Sequence, residues 1–277
     1  SITSCIIEGL AYMSFVLPYA EKNTYTAEWE DEESLKRHIL EAVVYGVERS
    51  HIAYDIFQDA MLRRFGFKSR HFKLGNPLIG MSIKDMTNHI DTKNQMGLFN
   101  KNPMDILMEL KDMFRRYFSL SERIKEDMEE RNNLELRLNR YRERIKDTMD
   151  VITSTYFIKG IDKKKSQGLL SNLDSDESFW TAIRKNTWFM EAKEAAKRNG
   201  FFHFEIEFPF LLNDAFDLIF VQPSLTYLWE KEFPPIELTK AYIKRGSSYL
   251  KDHGRFVIIA TGFEEGLMAE IENSKKY

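Results

Sequence analysis

Cysteine is nearly absent. Cys5 is the single one in 277 residues, so no internal disulfide can form, and a cytoplasmic location is the plain inference. An excess of charge of one sign is missing too. Forty basic residues meet 43 acidic ones, for a net charge of −3. That argues against strong non-specific binding to a polyanion by the chain as a whole, although a local patch can hide in the average. No apolar run reaches the ~18 to 20 residues needed to span a bilayer, and no membrane partner is expected. The apolar opening SITSCIIEGLAYMSFVL lacks a basic segment and is interrupted by Glu8. It reads as a buried helix over residues 4 to 17, ended near Pro18, rather than as a signal peptide. The six His residues are scattered, and neither a Cys/His metal spacing, a P-loop nor an internal repeat is found, so no metal ligand is assigned.

Against these absences stands a hydrophobic content of 43%, enough for a real core. Val43 to Glu48 reads as a strand ending in an acid. Residues 51 to 65 follow as an amphipathic helix with Ile52, Ile56, Ala60 and Met61 on one face. Residues 82 to 102 are polar and read as a loop. From Pro103 to about Phe157 the pattern is helical: Leu134, Leu138, Tyr141, Ile145, Met149 and Ile152 keep three-and-four spacing, and Asn132-Asn133 suggests a break. The charged face of this hairpin suits a DNA or partner surface, or simply a solvated helical pair; mixed charge sign favours the latter. Ile158 to Asp176 reads as a loop or linker. Asp176 to Asn199 reads as one helix with Phe179, Trp180, Ile183, Trp188 and Phe189 on its apolar face, capped by Asp176 and closed by Gly200.

The stretch that organises the chain is FFHFEIEFPFLLNDAFDLIFVQPSL, residues 201 to 225. Phe202 to Phe208 alternates apolar and polar side chains, the period of a half-buried strand. Phe216 to Val221 is a continuous apolar run, as in a strand buried on both faces, and Pro223 marks its carboxyl end. In open α/β sheets that end is where ligands bind. His203, taken alone, reads as a hydrogen-bonded structural residue rather than a ligand.

This stretch resembles the adenine-N6 DNA methyltransferases of the type IIG restriction–modification class, in which a segment like FFHWELEFPEVF precedes a strand like GFDVIIGNPPY. Three further segments match in the same order. Gly46-Val47-Glu48 lies where the family carries GVDxNP, Gly75-Asn76-Pro77-Leu78-Ile79-Gly80 where it carries GNSLIG, and Gly254 to Ala260 where it carries GGRxxFIVP. The resemblance covers about residues 4 to 272, interrupted by a helical insertion. It implies an α/β fold: a Rossmann-like class I methyltransferase sheet with a large helical insertion. Residues 1–82 would form the cofactor half, residues 83–200 the insertion, and residues 201–277 the catalytic-motif half. The family's glycine loop aligns with Ser1-Ile2-Thr3, where no glycine stands, so the first strand is expected to be missing or supplied from elsewhere.

The implied cofactor is S-adenosyl-L-methionine. The implied cofactor residues are Gly46, Glu48, which would take the ribose hydroxyls, and Asn76, near the adenine. Gln222, Pro223, Ser224 and Leu225 stand at the family's Asn-Pro-Pro-Tyr. There the Asn and first Pro carbonyls accept hydrogen bonds from the target amine of a flipped adenine, and the aromatic ring stacks on the base. Gln222 keeps the amide but is one methylene longer, Ser224 loses the second Pro, and Leu225 has no ring. The implied partner is double-stranded DNA, read by a separate target-recognition domain or subunit. Three readings therefore stay open: a site-specific DNA adenine-N6 methyltransferase, a catalytically dead methyltransferase-fold module for DNA or protein binding, and a decayed fragment.

Overall fold

In the computed structural model, residues 36–37, 39–89, 103–120, 125–161, 163–222 and 235–259 are described. The expected helix over residues 4 to 17 lies outside them, as do Pro223, Ser224 and Leu225. The chain divides into two compact units at Asn76/Pro77.

In the first unit a π-helical turn, Ile39–Val43, leads into β1 (Gly46–Glu48), α1 (His51–Phe65) and β2 (Phe72–Leu74). β1 and β2 pair in parallel, with Glu48 opposite Leu74. The expected strand is thus shorter than Val43 to Glu48, while α1 spans the expected residues. Its ends have local causes. The Ser50 hydroxyl accepts from Ala53 N at 3.3 Å, and Gly66 closes the helix at φ +79°, a conformation glycine adopts without a Cβ penalty. The expected inward face differs. Met61 is buried, but Ile52 and Ile56 are 74% and 65% exposed. The small core instead joins Leu40 and Met61 to Phe57, Phe65 and Phe67. Three-residue strands offer α1 little surface to cover.

The second unit is mainly helical. α2 (Ile83–Thr87), α3 (Pro103–Ser119), α4 (Lys125–Ser154), α5 (Lys163–Leu170), α6 (Glu177–Arg184) and α7 (Thr187–Asn199) come first. α4 packs on both α3 and α7. The three-and-four stripe is the core, as read: Leu138, Tyr141, Ile145, Met149 and Ile152 are all buried, and Leu134 packs against them. Asn132 and Asn133 do not break the helix; they are exposed residues inside α4, where solvent leaves an Asn pair tolerable. The loop expected over residues 158 to 176 contains α5, which buries Leu169 and Leu170. The expected loop over residues 82 to 102 opens with α2, started by a reciprocal Ser82/Asp85 cap.

Nor is Asp176 to Asn199 one helix. Asp176 does cap α6, accepting from Phe179 N at 2.9 Å, and Gly200 does close α7 at φ +65°. Between them Asn186 turns the chain. Its side-chain amide donates to the carbonyls of Ala182 and Ile183 at 3.1 and 3.2 Å, which satisfies the end of α6 while the Asn186 backbone extends to start α7.

Past Gly200 the alternating stretch is helical too, against expectation. α8 (Phe204–Glu207) is a single turn, followed by a 3-10 turn, Pro209–Leu212. A strand would point residues 203, 205 and 207 to one side, whereas here they reach partners on different elements. β3 (Phe216–Val221), α9 (Pro235–Ser247) and β4 (Leu250–Ile258) complete the described chain, with β3 and β4 parallel. α9 packs on β4, and the Phe210 ring meets Phe216 edge-on. Burial on both faces is not reached: Leu218 and Val257 stay 40% and 41% exposed. No described helix is long and apolar enough to cross a membrane.

Candidate functional site

Each unit carries a parallel β-α-β element, and three of the residues implied by the resemblance, Glu48, Asn76 and Gln222, lie at or just past the carboxyl ends of its strands. In the first unit Gly75 N donates to Glu48 O at 2.9 Å, so the ends of β1 and β2 lie side by side. The Glu48 carboxylate leaves β1 and accepts from Ser50 N at 2.7 Å through Oε1. One carboxylate oxygen thus braces the start of α1. Asn76 follows Gly75 and is 3% exposed. Gly46 begins β1, its N–H donating to His71 O at 3.0 Å, and a Cβ there would overlap the Phe72 ring. Its glycine therefore serves strand packing. Glu48 and Asn76 are brought together; Gly46 lies two residues back along β1.

In the second unit Gln222 directly follows β3 and is exposed. The β3 end is pinned by Ile259 N donating to Val221 O at 2.9 Å. Gln222 and the Glu48–Asn76 pair belong to different units. An acid and an amide at adjacent strand ends suit the two polar ends of a nucleoside: the acid accepts from ribose hydroxyls, and the amide both donates and accepts at a base edge.

The most specific part of the sequence pattern has a different task, wholly within the second unit. Phe202 N donates to Ile79 O at 2.7 Å, and a Cβ on Gly80 would overlap the Phe202 carbonyl. The 79–83 and 202–205 segments can approach this closely only with glycine there. His203, fully buried, accepts from Met81 N through Nδ1 at 3.0 Å. That bond assigns its proton to Nε2, which donates to Asp150 Oδ1 of α4 at 3.0 Å. Glu205 accepts from Ile83 N at 3.3 Å and from the Tyr249 hydroxyl at 3.1 Å. Glu207 pairs with Lys146 at 3.4 Å. The His-x-Glu-x-Glu pattern therefore ties α4, the 79–83 segment and the β4 entrance into one clasp.

Electrostatics decide how that clasp is held. Burial by itself would raise the Asp150 carboxyl. The His203 hydrogen bond and the ammonium groups of Lys146 and Lys193 outweigh burial and bring it down to about 2. Burial would lower Lys193, but Asp150 and Asp147, the latter at 2.8 Å, hold it above the usual lysine range. Arg184 joins Asp147, Glu143 and Glu177 at 3.1, 3.2 and 3.2 Å. Glu205 runs the other way: burial raises it, and its hydrogen bonds offset only part of that.

His203 thus fits its reading as a structural histidine, while its partner Asp150, and the Lys193 and Asp147 that pair around it, went unread. Their signal was available: two acids three residues apart inside α4's most apolar stretch, beside Met149 and Val151, where every face of the helix is covered. Among the described residues no group of three His, Cys, Asp or Glu side chains is placed to hold a metal ion. Comparisons of the chain with family models, with curated proteins and with solved structures return no match.

Proposed function

We propose that the chain is a methyltransferase-type module: a Rossmann-like α/β fold with a helical insertion, built to bind S-adenosyl-L-methionine and to act on adenine N6 in double-stranded DNA. The observation that supports this reading is the position of Glu48, Asn76 and Gln222. Each stands at, or one or two residues past, the carboxyl end of a parallel strand, the end at which open α/β sheets bind ligands. Glu48 and Asn76 would hold the ribose and adenine of the cofactor, which supplies an electrophilic methyl group when bound. Gln222 and Pro223 would accept hydrogen bonds from the target amine, drawing its lone pair away from the ring.

Titration calorimetry with S-adenosyl-L-methionine, on the full chain and on Glu48→Ala, tests the cofactor half of this reading. Saturable binding that the variant loses is the expected result. No heat at millimolar cofactor would sink it. Transfer of labelled methyl to DNA, compared with that by a Gln222→Asn, Ser224→Pro, Leu225→Tyr variant, tests the catalytic half.

A second reading, a non-catalytic module retaining this fold, is favoured by one observation. His203, Glu205 and Glu207, from the most specific part of the resemblance, all spend their side chains on internal bonds. That segment can persist for folding alone. Cofactor binding without methyl transfer, even with the restored motif, would select this reading.

A further inference from the structure

Where α4 ends and the chain turns towards α5, aromatic rings face solvent beside lysines. Tyr156 is 78% exposed and Phe157 45% exposed. Phe157 leans on Phe201, with centroids 5.1 Å apart, so its ring is held in place while part of it stays exposed. Lys159 and Lys164 are exposed and enter no ion pair among the described residues. Lys165 Nζ donates to Gly160 O at 2.8 Å and lies 5.6 Å from the Trp188 ring centroid, which braces the turn against α7. In a chain of net charge −3, residues 155 to 166 carry four lysines and one acid.

Exposed aromatic rings beside exposed ammonium groups fit a ligand offering flat rings and a regular negative charge. A membrane surface would also attract cations, but it needs an apolar face to insert, and here the neighbouring Ile161 is buried while Ile158 packs against the core. A DNA duplex hides its base faces in the stack. A single strand exposes both its bases and its phosphates.

We propose that the α4–α5 turn binds single-stranded nucleic acid, with Tyr156 and Phe157 stacking on unpaired bases and Lys159 and Lys164 meeting the phosphates. The proposal does not rest on methyl transfer, since none of these residues lies at a strand end.

The test is fluorescence anisotropy of the full chain with labelled oligodeoxythymidine, with a duplex of equal length and with phosphatidylcholine–phosphatidylserine vesicles. The single strand should bind more tightly than the duplex. Tyr156→Ala should weaken single-strand binding about 5- to 100-fold, and Tyr156→Phe should retain it. Lys159→Gln with Lys164→Gln should lower the slope of log affinity against log salt by roughly 1.4, about 0.7 for each phosphate no longer neutralised. All these side chains are exposed, so unchanged circular dichroism should accompany each variant. Absence of single-strand binding, equal affinity for the duplex with no effect of Tyr156→Ala, or binding to vesicles alone would overturn the proposal.

Discussion

The two units handle similar elements under opposite conditions. In the first, a parallel β-α-β element rests on a small apolar cluster around Leu40 and Met61, and α1 leaves Ile52 and Ile56 in solvent. In the second, a continuous cluster runs from Met81 through α3, α4, α5, α6 and α7 to Ile206. Inside that cluster the chain buries ionised groups: Asp150 is 1% exposed and Arg144 2%. Arg144 donates to the carbonyls of Leu173 and Ser175 at 3.0 and 2.7 Å and to Glu177 at 3.0 Å. The contrast teaches where buried charge is tolerable. A large core can supply several fixed partners to an ion and so offset much of its desolvation, whereas the polar side chains buried among the described residues of the small one, Gln58, Ser69 and Asn76, are all neutral. Ligand-binding segments are drawn from the less stable parts of a protein, and the proposed Glu48–Asn76 site belongs to the thinner unit.

The largest expected effect comes from breaking the clasp. His203→Ala leaves the Asp150 carboxylate without its imidazole donor and Met81 N–H without an acceptor, both away from water. Losing one partner of a buried pair costs about 3–5 kcal/mol. Denaturant unfolding followed through tryptophan fluorescence, with hydrogen exchange resolved by segment, should show α4 and α7 losing protection while α1 keeps its own. Equal loss in both units would erase the contrast between them.

Much of this arrangement was legible, and what was not has identifiable causes. The core stripe of α4, the limits of α1 and β3 and the Asp176 and Gly200 caps follow from periodicity and local capping, which act over a few residues. Other features depend on distant partners. Phe202 to Phe208 alternates like a strand because three polar side chains alternate with large apolar ones, but residues 79–83 and α4 claim those polar side chains in different directions. The Asn186 turn depends on an amide bonding backwards to α6, and α5 on Leu169 and Leu170 finding a core supplied by other helices. At the candidate site, sequence pattern put Glu48 and Gln222 at strand ends; Asn76 came from the resemblance alone, and β2, the short strand before it, was not read. The pattern did not reveal that Glu48 already braces Ser50, nor that the glycine at Gly46 answers to the Phe72 ring.

Acid should separate the units next. The Asp150 carboxyl sits lower in the folded chain, at about 2, than its ordinary 3.8. Its contribution is therefore complete above the ordinary value and is lost as pH falls from about 4 towards 2. The difference is worth roughly 2 kcal/mol. Stability of the second unit measured between pH 6 and about 2 should fall along this limb, and Asp150→Asn should flatten it. An unchanged limb in the variant would assign the acid sensitivity elsewhere.

A smaller effect, confined to the first unit, is expected from Ser50→Ala. It removes the hydroxyl that accepts from Ala53 N, a loss of about 1 kcal/mol for a helix cap. Exchange of the first-turn amides of α1 should quicken while α4 and α7 stay unchanged. Because Ser50 N also holds Glu48, the same variant should loosen the strand-end acid, and cofactor affinity measured alongside would register it. Faster exchange in α4 would mean the two units are more strongly coupled than their separate cores imply.

The smallest effect has the opposite sign and comes from Glu205→Gln. Two forces compete there. Arg245, whose guanidinium lies 5.5 Å from the Phe204 ring centroid and 5.6 Å from that of Tyr249, favours a charged Glu205; burial disfavours it. The carboxyl is raised in spite of Arg245, so burial wins and folding prefers the neutral form. A raised carboxyl contributes its stability below the ordinary glutamate value and loses it as pH rises through the folded one, the reverse of Asp150. Glutamine imitates the protonated acid: its carbonyl can still accept from Ile83 N, and its amide can donate to the Tyr249 oxygen. At neutral pH the variant should therefore be slightly more stable than the parent, by less than Ser50→Ala costs. The gain should vanish below about pH 4, where Glu205 is itself protonated. A variant less stable at neutral pH would mean that Arg245 depends on the Glu205 charge, and that even the larger core holds this edge of the clasp by ion pairing rather than by neutral hydrogen bonds.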